Sequence, residues 1–302
     1  MRNVFIDRLI QEAKDNEKIV LITADLGYGV VDKFKREFPH RFFNLGVAEQ
    51  SIMSIAAALA SKGFRPFVYS IGNFPTFRCL EQIRNDVSYM NNGVVIVALG
   101  AGFSYGTAGY SHYLIEDIPS FRSLENIEIF NPSTAEQVNQ ITSALAHGSA
   151  PAYLRIGSLE VLETNAIGTI ADFAEILFFG TSGSILVTGP LVTQAVEAKK
   201  MLAEEGHDLG IVSVYNLSRF KLAEIQKVCP GPYVSLEEHR IKGGFNSMLL
   251  EEANFLRCGV GISGVGIQNF EHSKIGNRSY MLEKYGVTAT SIVNAFHLLL
   301  DR

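Results

Sequence analysis

Three short stretches of this sequence carry residue types that do chemistry. In RFFNLGVAEQSIMSIAAALASKG, Asn44-Leu45-Gly46 reads as a turn at a strand end, and Glu49 falls in the first turn of an alanine-rich helix closed by Gly63. A carboxylate there stands at a strand's carboxyl end, which is where ligands bind in an open α/β sheet. It is also the residue a helix dipole favours, and as an exposed helix-start group it would add well under about 1 kcal/mol of stability. In YSIGNFPTFRCLEQIRNDV, Phe74 and Phe77 stand three apart on one side of a starting helix, either as a core pair or as a platform for a flat heteroaromatic ring. In GAGFSYGTAGYSHYLIEDIPSFR, four glycines make a close-approach loop that bears His112 ahead of Glu116-Asp117. That histidine either bonds to backbone or works in catalysis, for which such loops are a usual place. Each signal alone is weak; their order and spacing together are specific.

The elements that must position these residues alternate strand and helix. Residues 4–14 have a helical apolar period, IVLIT (19–23) reads as a buried strand, VVDKFKREF is helix-like, and a strand is expected near 41–44. After the alanine-rich helix come the strand FRPFVYS, a helix over roughly 74–90, the strand VVIVALG, the glycine loop, the strand ENIEIF, a helix after Asn131-Pro132, and PAYLRIG. This is the pattern of a parallel sheet with helices on both faces. The rhythm lapses after residue 157 and resumes with SILVTG, the helix PLVTQAVEAKKMLAEEG, DLGIVSVY, PYVSLEE, a helix after Gly243-Gly244, and CGVGISG. The expected organisation is therefore two α/β domains, 1–165 and 183–302, joined by a linker at 166–182.

Composition narrows the function classes. Of the 302 residues 47% are hydrophobic and 19% charged, which suits a well-cored globular protein. A net charge of −5 offers no footprint for nucleic acid, and no apolar run reaches the length of a membrane span. The opening MRNVFIDRLIQEAKDNEK lacks the apolar core of a signal peptide. Cys79, Cys229 and Cys258 have no metal-type spacing and read as reduced, which fits the cytoplasm.

The series ADLG, RFFNLGVAEQ, the aromatic helix ending EQIRND, G-x-x-G-x-x-H-x-x-x-ED, NPSTAEQ and PAYLRIG resembles the pyrimidine domain of transketolases and deoxyxylulose-phosphate synthases. The second half, with VSLEEHRIKGGFNS, is similar to their carboxy-terminal domain. The family's G-D-G…N-N signature is absent; Gly27 and Gly29 form only a short G-x-G. The resemblance thus implies a split enzyme dependent on thiamine diphosphate, in which a partner polypeptide holds the diphosphate and a magnesium or calcium ion. It implies a two-plus-two assembly as well. Residue by residue, it implies that Glu49 bonds the ring nitrogen N1′ of the aminopyrimidine, that Phe74 and Phe77 pack on that ring, and that His112 contacts the sugar substrate. It further implies that Arg155 and Arg2 hold a sugar phosphate, for which a guanidinium fork is suited.

Three positions depart from that pattern. Leu80 replaces a tyrosine common in transketolases; Ala108 stands where they have an aspartate that contacts a donor hydroxyl, and Gly100 where they have a phosphate-binding histidine. The chemistry is expected to be intact and the substrate nonstandard. Two rival readings share the fold: the β subunit of a 2-oxo acid dehydrogenase's first component, and a non-catalytic regulatory subunit. The run Glu237-Glu238-His239 could pass for a metal cluster, but neighbours on a strand point to different faces, so a structural role is expected and no metal site is assigned. The helix after Gly243-Gly244 offers an amino terminus to an anion.

Overall fold

Strands buried along their whole length, such as IVLIT and VIVAL, need cover on both faces. The computed structural model supplies it; the structure describes residues 1–157, 166–271 and 273–301. Strands β1 (Ile19–Thr23), β2 (Phe42–Asn44), β3 (Arg65–Ile71), β4 (Val95–Leu99), β5 (Glu128–Phe130) and β6 (Ala152–Ile156) form an all-parallel sheet in the order β2-β1-β3-β4-β6-β5. Side chains alternate across it with period two. Ile19, Leu21, Phe67, Tyr69, Val95 and Val97 pack with the helices Arg2–Asp15 and Ala135–His147. Val20, Ile22, Val68, Ile96 and Ala98 share the opposite core with Ile52, Met53, Ala56 and Ala57 of the helix Glu49–Ser61.

The second sheet has the order β12-β11-β9-β10-β8-β7, built from β7 (Gly168–Ile170), β8 (Ala174–Phe178), β9 (Gly183–Val187), β10 (Leu209–Val214), β11 (Tyr233–Arg240) and β12 (Ile262–Ile267). Its last four strands are mutually parallel, whereas β8 runs antiparallel to β10 and β7 antiparallel to β8. The sheet is therefore mixed. The expected linker at 166–182 needs correction, because it contains β7 and β8. A strand's pairing partner decides its existence here more than its own sequence does, and β8 forms on β10, more than thirty residues away in the chain. The expected boundary at residue 165 lies outside the described residues.

The two halves share cores. Phe121 and Tyr153 of the first cluster with Val212, Val214 and Phe245 of the second, while Phe103, Tyr113 and Ile115 belong to the second half's own core. In the first sheet the strand order reverses between β1 and β3, and crevices at such reversals bind ligands beyond the strands' carboxyl ends. The segments that leave β1, β2, β3 and β4 at that end bear Asp25, Glu49, Phe74 and His112 in turn.

Candidate functional site

Gly46, at φ +73°, makes the turn out of β2. The side chain of Asn44 fastens that turn to the neighbouring loop: its Oδ1 accepts the N–H of Gly46 at 3.1 Å and that of Asp25 at 2.9 Å. The helix then begins at Glu49, with Ala48 before it giving no side-chain cap. Glu49 is only 5% exposed, not the open helix-start group expected. The physical reason is a cover: Nη1 of Arg78 lies 3.2 Å from Glu49 Oε2.

The same guanidinium lies 4.1 Å over the ring of Phe74, and Phe74 meets the His112 ring edge-on at 5.2 Å. Glu49, Arg78, Phe74 and His112 thus form one run of contacts across the carboxyl ends of β2, β3 and β4. Phe77 closes the short helix Asn73–Phe77 and is half-buried. Two bonds steady the histidine: Asn73 Nδ2 donates to the carbonyl of Ser111 at 2.7 Å, and Ser111 Oγ sits 3.0 Å from His112 Nδ1. Among the described residues His112 Nε2 has no protein partner, which leaves it available to a bound molecule. Sequence reasoning missed Arg78. Its signal was the spacing, four residues after Phe74, which puts both on one helix face.

Arg2 is exposed and lines a cavity of about 460 Å³ together with Gly100, Ser104, Tyr105 and Gly157. Gly100 has φ +91°, and a β-carbon there would lie 2.3 Å from the Tyr105 ring. The tyrosine occupies the space that a side chain at position 100 would need, so this loop excludes a histidine there. Ala108 is exposed, in the turn Gly106–Ala108.

Arg155 requires a correction. It is 0% exposed and its guanidinium is spent inside the protein. Nε donates to Asp117 Oδ2 at 2.7 Å, Nη1 to Asn131 Oδ1 at 3.4 Å, and Nη2 to the carbonyls of Leu114 and, at 3.2 Å, Glu238. Tyr153 Oη also donates to Asp117 at 2.7 Å, and burial together with that carboxylate pushes the phenol's pKa well up. Arg155 is a strut, not a phosphate ligand. Arg155→Met strands the buried Asp117 and is expected to lower stability by about 3–5 kcal/mol in denaturant titration. An unchanged unfolding midpoint would remove the strut role.

Glu237 and His239 share one face of β11, with Glu237 Oε2 2.5 Å from His239 Nε2, and Glu238 takes the other. The amino terminus of the helix Phe245–Phe255 is filled from within, since Glu237 accepts the N–H groups of Phe245 at 2.7 Å and Asn246 at 2.8 Å. Among the described residues no group of three or more metal-ligating side chains gathers, and no helix is long and apolar enough to cross a membrane.

Residues 1–161 match the family described as transketolase, pyrimidine binding domain, and residues 174–292 the family described as transketolase, C-terminal domain. The chain is similar to one of the subunits of the apulose-4-phosphate transketolase of Actinobacillus succinogenes, 30% identical over 300 residues that cover 97% of this chain and 96% of that protein. It is similar also to the 6-deoxy-6-sulfo-D-fructose transketolase subunit SqwH of Clostridium sp., 27% identical over 308 residues, covering 100% and 95%. Among solved structures, a split-gene transketolase described as an inactive beta4 tetramer aligns with TM-score 0.88 and 32% identity, covering 99% of this chain and 98% of that one.

Proposed function

Because this chain belongs to the transketolase family, we propose that it is the pyrimidine-binding subunit of a split thiamine-diphosphate enzyme that moves a two-carbon ketol unit between sugars. The observation that carries this reading is the run Glu49–Arg78–Phe74–His112 at the strand ends. The residues fit an aminopyrimidine. A flat N–H-bearing group, the Arg78 guanidinium, already lies over Phe74 with one nitrogen on Glu49, the two contacts that such a ring needs. Arg78 is half-exposed and is the group that gives way. When bound, thiamine diphosphate supplies the carbon nucleophile that takes up the ketol unit. Glu49 holds a proton at N1′, Phe74 and Phe77 pack on the ring, and His112 Nε2 hydrogen-bonds the sugar oxygens at the reacting carbons.

The diphosphate and its magnesium or calcium ion are assigned to a second subunit. In support, the chain covers nearly the whole of relatives that are themselves called subunits. Tyr28 and Val47, 73% and 72% exposed, stand at the rim of the site as surface for another chain to cover. The beta4 tetramer of the similar split-gene enzyme supports self-association in a two-plus-two assembly. The proposed location is the cytoplasm, in keeping with three free cysteines.

The substrate is proposed to be a nonstandard sugar phosphate, with Arg2 and its cavity taking the anionic group. Ala108 has no polar atom for a donor hydroxyl, and the loop excludes a cation at Gly100. The names of the relatives, for apulose 4-phosphate and a sulfonated deoxyfructose, point the same way. A lost charge-assisted hydrogen bond lowers preference by about one to two orders of magnitude. Reconstituted with its partner, the enzyme is expected to show that deficit in kcat/KM on xylulose 5-phosphate and ribose 5-phosphate, and to prefer a sugar altered near the keto group or at the phosphate. Efficiency equal to an ordinary transketolase would defeat the altered-substrate reading. Reduction of lipoyl domains in place of ketol transfer would defeat the transketolase reading altogether.

A further inference from the structure

His112 rides on a closed excursion of the chain. Gly102 and Leu114 exchange two backbone hydrogen bonds of 3.0 Å at its base, and the segment between them leans on the second half of the molecule. Glu238, in β11, is 0% exposed, and its Oε1 accepts the N–H of Phe103 at 2.9 Å. Arg278 neutralises it, with Nε 3.0 Å from Oε1 and Nη2 2.5 Å from Oε2. A β-carbon at Gly102, where φ is +60°, would come within 2.3 Å of the Glu238 side chain, so only glycine lets the carboxylate reach the loop. Further along, a β-carbon at Gly106 would come within 2.3 Å of the Gly276 carbonyl oxygen, and Tyr113 Oη donates to the carbonyls of Gly106 at 3.0 Å and Lys274 at 3.3 Å. The Phe103 ring stacks with Tyr285 at 5.5 Å and Phe270 at 6.3 Å.

Stability alone does not account for Glu238, because a buried ion pair is commonly matched or bettered by apolar residues of the same volume. What the carboxylate does here is fix a backbone N–H of a loop in the other domain. We infer that Glu238 is a positioning residue for the transferase site, which with Arg278 holds the loop Gly102–Leu114 and so sets where His112 meets the substrate. The second domain thereby tunes substrate handling without touching substrate. The inference rests on the reading of His112 as the substrate-contacting residue.

Hydrogen exchange and kinetics test it together. In the isolated chain, Glu238→Ala is expected to speed exchange of the loop amides by roughly ten- to hundredfold while β9 and β10 keep their protection. In the reconstituted pair the KM for the sugar donor rises by about tenfold, and the affinity for thiamine diphosphate, measured by calorimetry, changes by less than about threefold because Glu49 and its partner Arg78 lie outside the loop. Glu238→Gln keeps only a neutral, weaker acceptor for the Phe103 N–H and loses the charge that Arg278 pairs with, so it loosens the loop in part and recovers part of the loss in KM. Should the alanine variant not fold, the isosteric glutamine decides: faster exchange in the loop than in β9 and β10 supports the role, and change in both or in neither overturns it. A loosened loop with unchanged KM, or a larger fall in cofactor affinity alongside, overturns it too. His112→Ala separates the two readings. If that variant leaves KM unchanged, the reading of His112 fails; if it raises KM while the Glu238 variants alter nothing, the positioning role alone fails.

Discussion

Glu49→Gln is expected to lower turnover of the reconstituted enzyme by about two to four orders of magnitude, the range for loss of a positioned proton-transfer group. The amide keeps the shape of the side chain and loses the carboxyl group's capacity to take up and release a proton. The fold should survive. Glu49 is buried, but its partner Arg78 is half-exposed at 3.2 Å, and such a pair is worth about 1 kcal/mol or less. Circular dichroism melting and size-exclusion profiles of variant and wild type should therefore nearly coincide while kcat collapses. Ketol transfer by Glu49→Gln near the wild-type rate would remove Glu49 from the mechanism.

The isolated chain is expected to show no turnover and to bind thiamine diphosphate at least about a hundredfold more weakly than the assembled pair. The physical ground is the division of contacts: this chain offers a ring platform and one carboxylate, whereas the strong charge-assisted bonds to a diphosphate lie in the proposed partner. Titrating the partner into a fixed amount of this chain should restore activity and saturate at equimolar subunits, with calorimetry following cofactor affinity in parallel. Full activity in the homogeneous chain would mean that the division is wrong.

The candidate residues that the sequence pointed to and the fold brings together share one property. Glu49, Phe74 and His112 each depend on a local signal: a turn running into a helix, a helical spacing of aromatics, a glycine loop. Local signals survive without knowledge of the fold, and the resemblance to the pyrimidine domain joins them. Arg78 was legible by the same rule, being one helical turn after Phe74.

The sequence by itself determined the two α/β domains, the strand positions in the first, and the turn and loop residues that bring Glu49, Phe74 and His112 to one end of the sheet. Tertiary structure alone decided the rest, because those outcomes depend on groups far apart in the chain. Arg155 sits in a strand whose pattern says it is buried without saying beside what; Asp117 and Glu238, 38 and 83 residues away, consume its guanidinium and make it a strut. Burial of Glu49 followed from a residue 29 positions later. β8 exists because β10 offers it a ladder, and Glu238 reaches a backbone N–H 135 residues away in the chain, at 2.9 Å, only because the packed domains bring the two together. A side chain's type and local period limit what it can do; which partners share its desolvated surroundings fixes what it does.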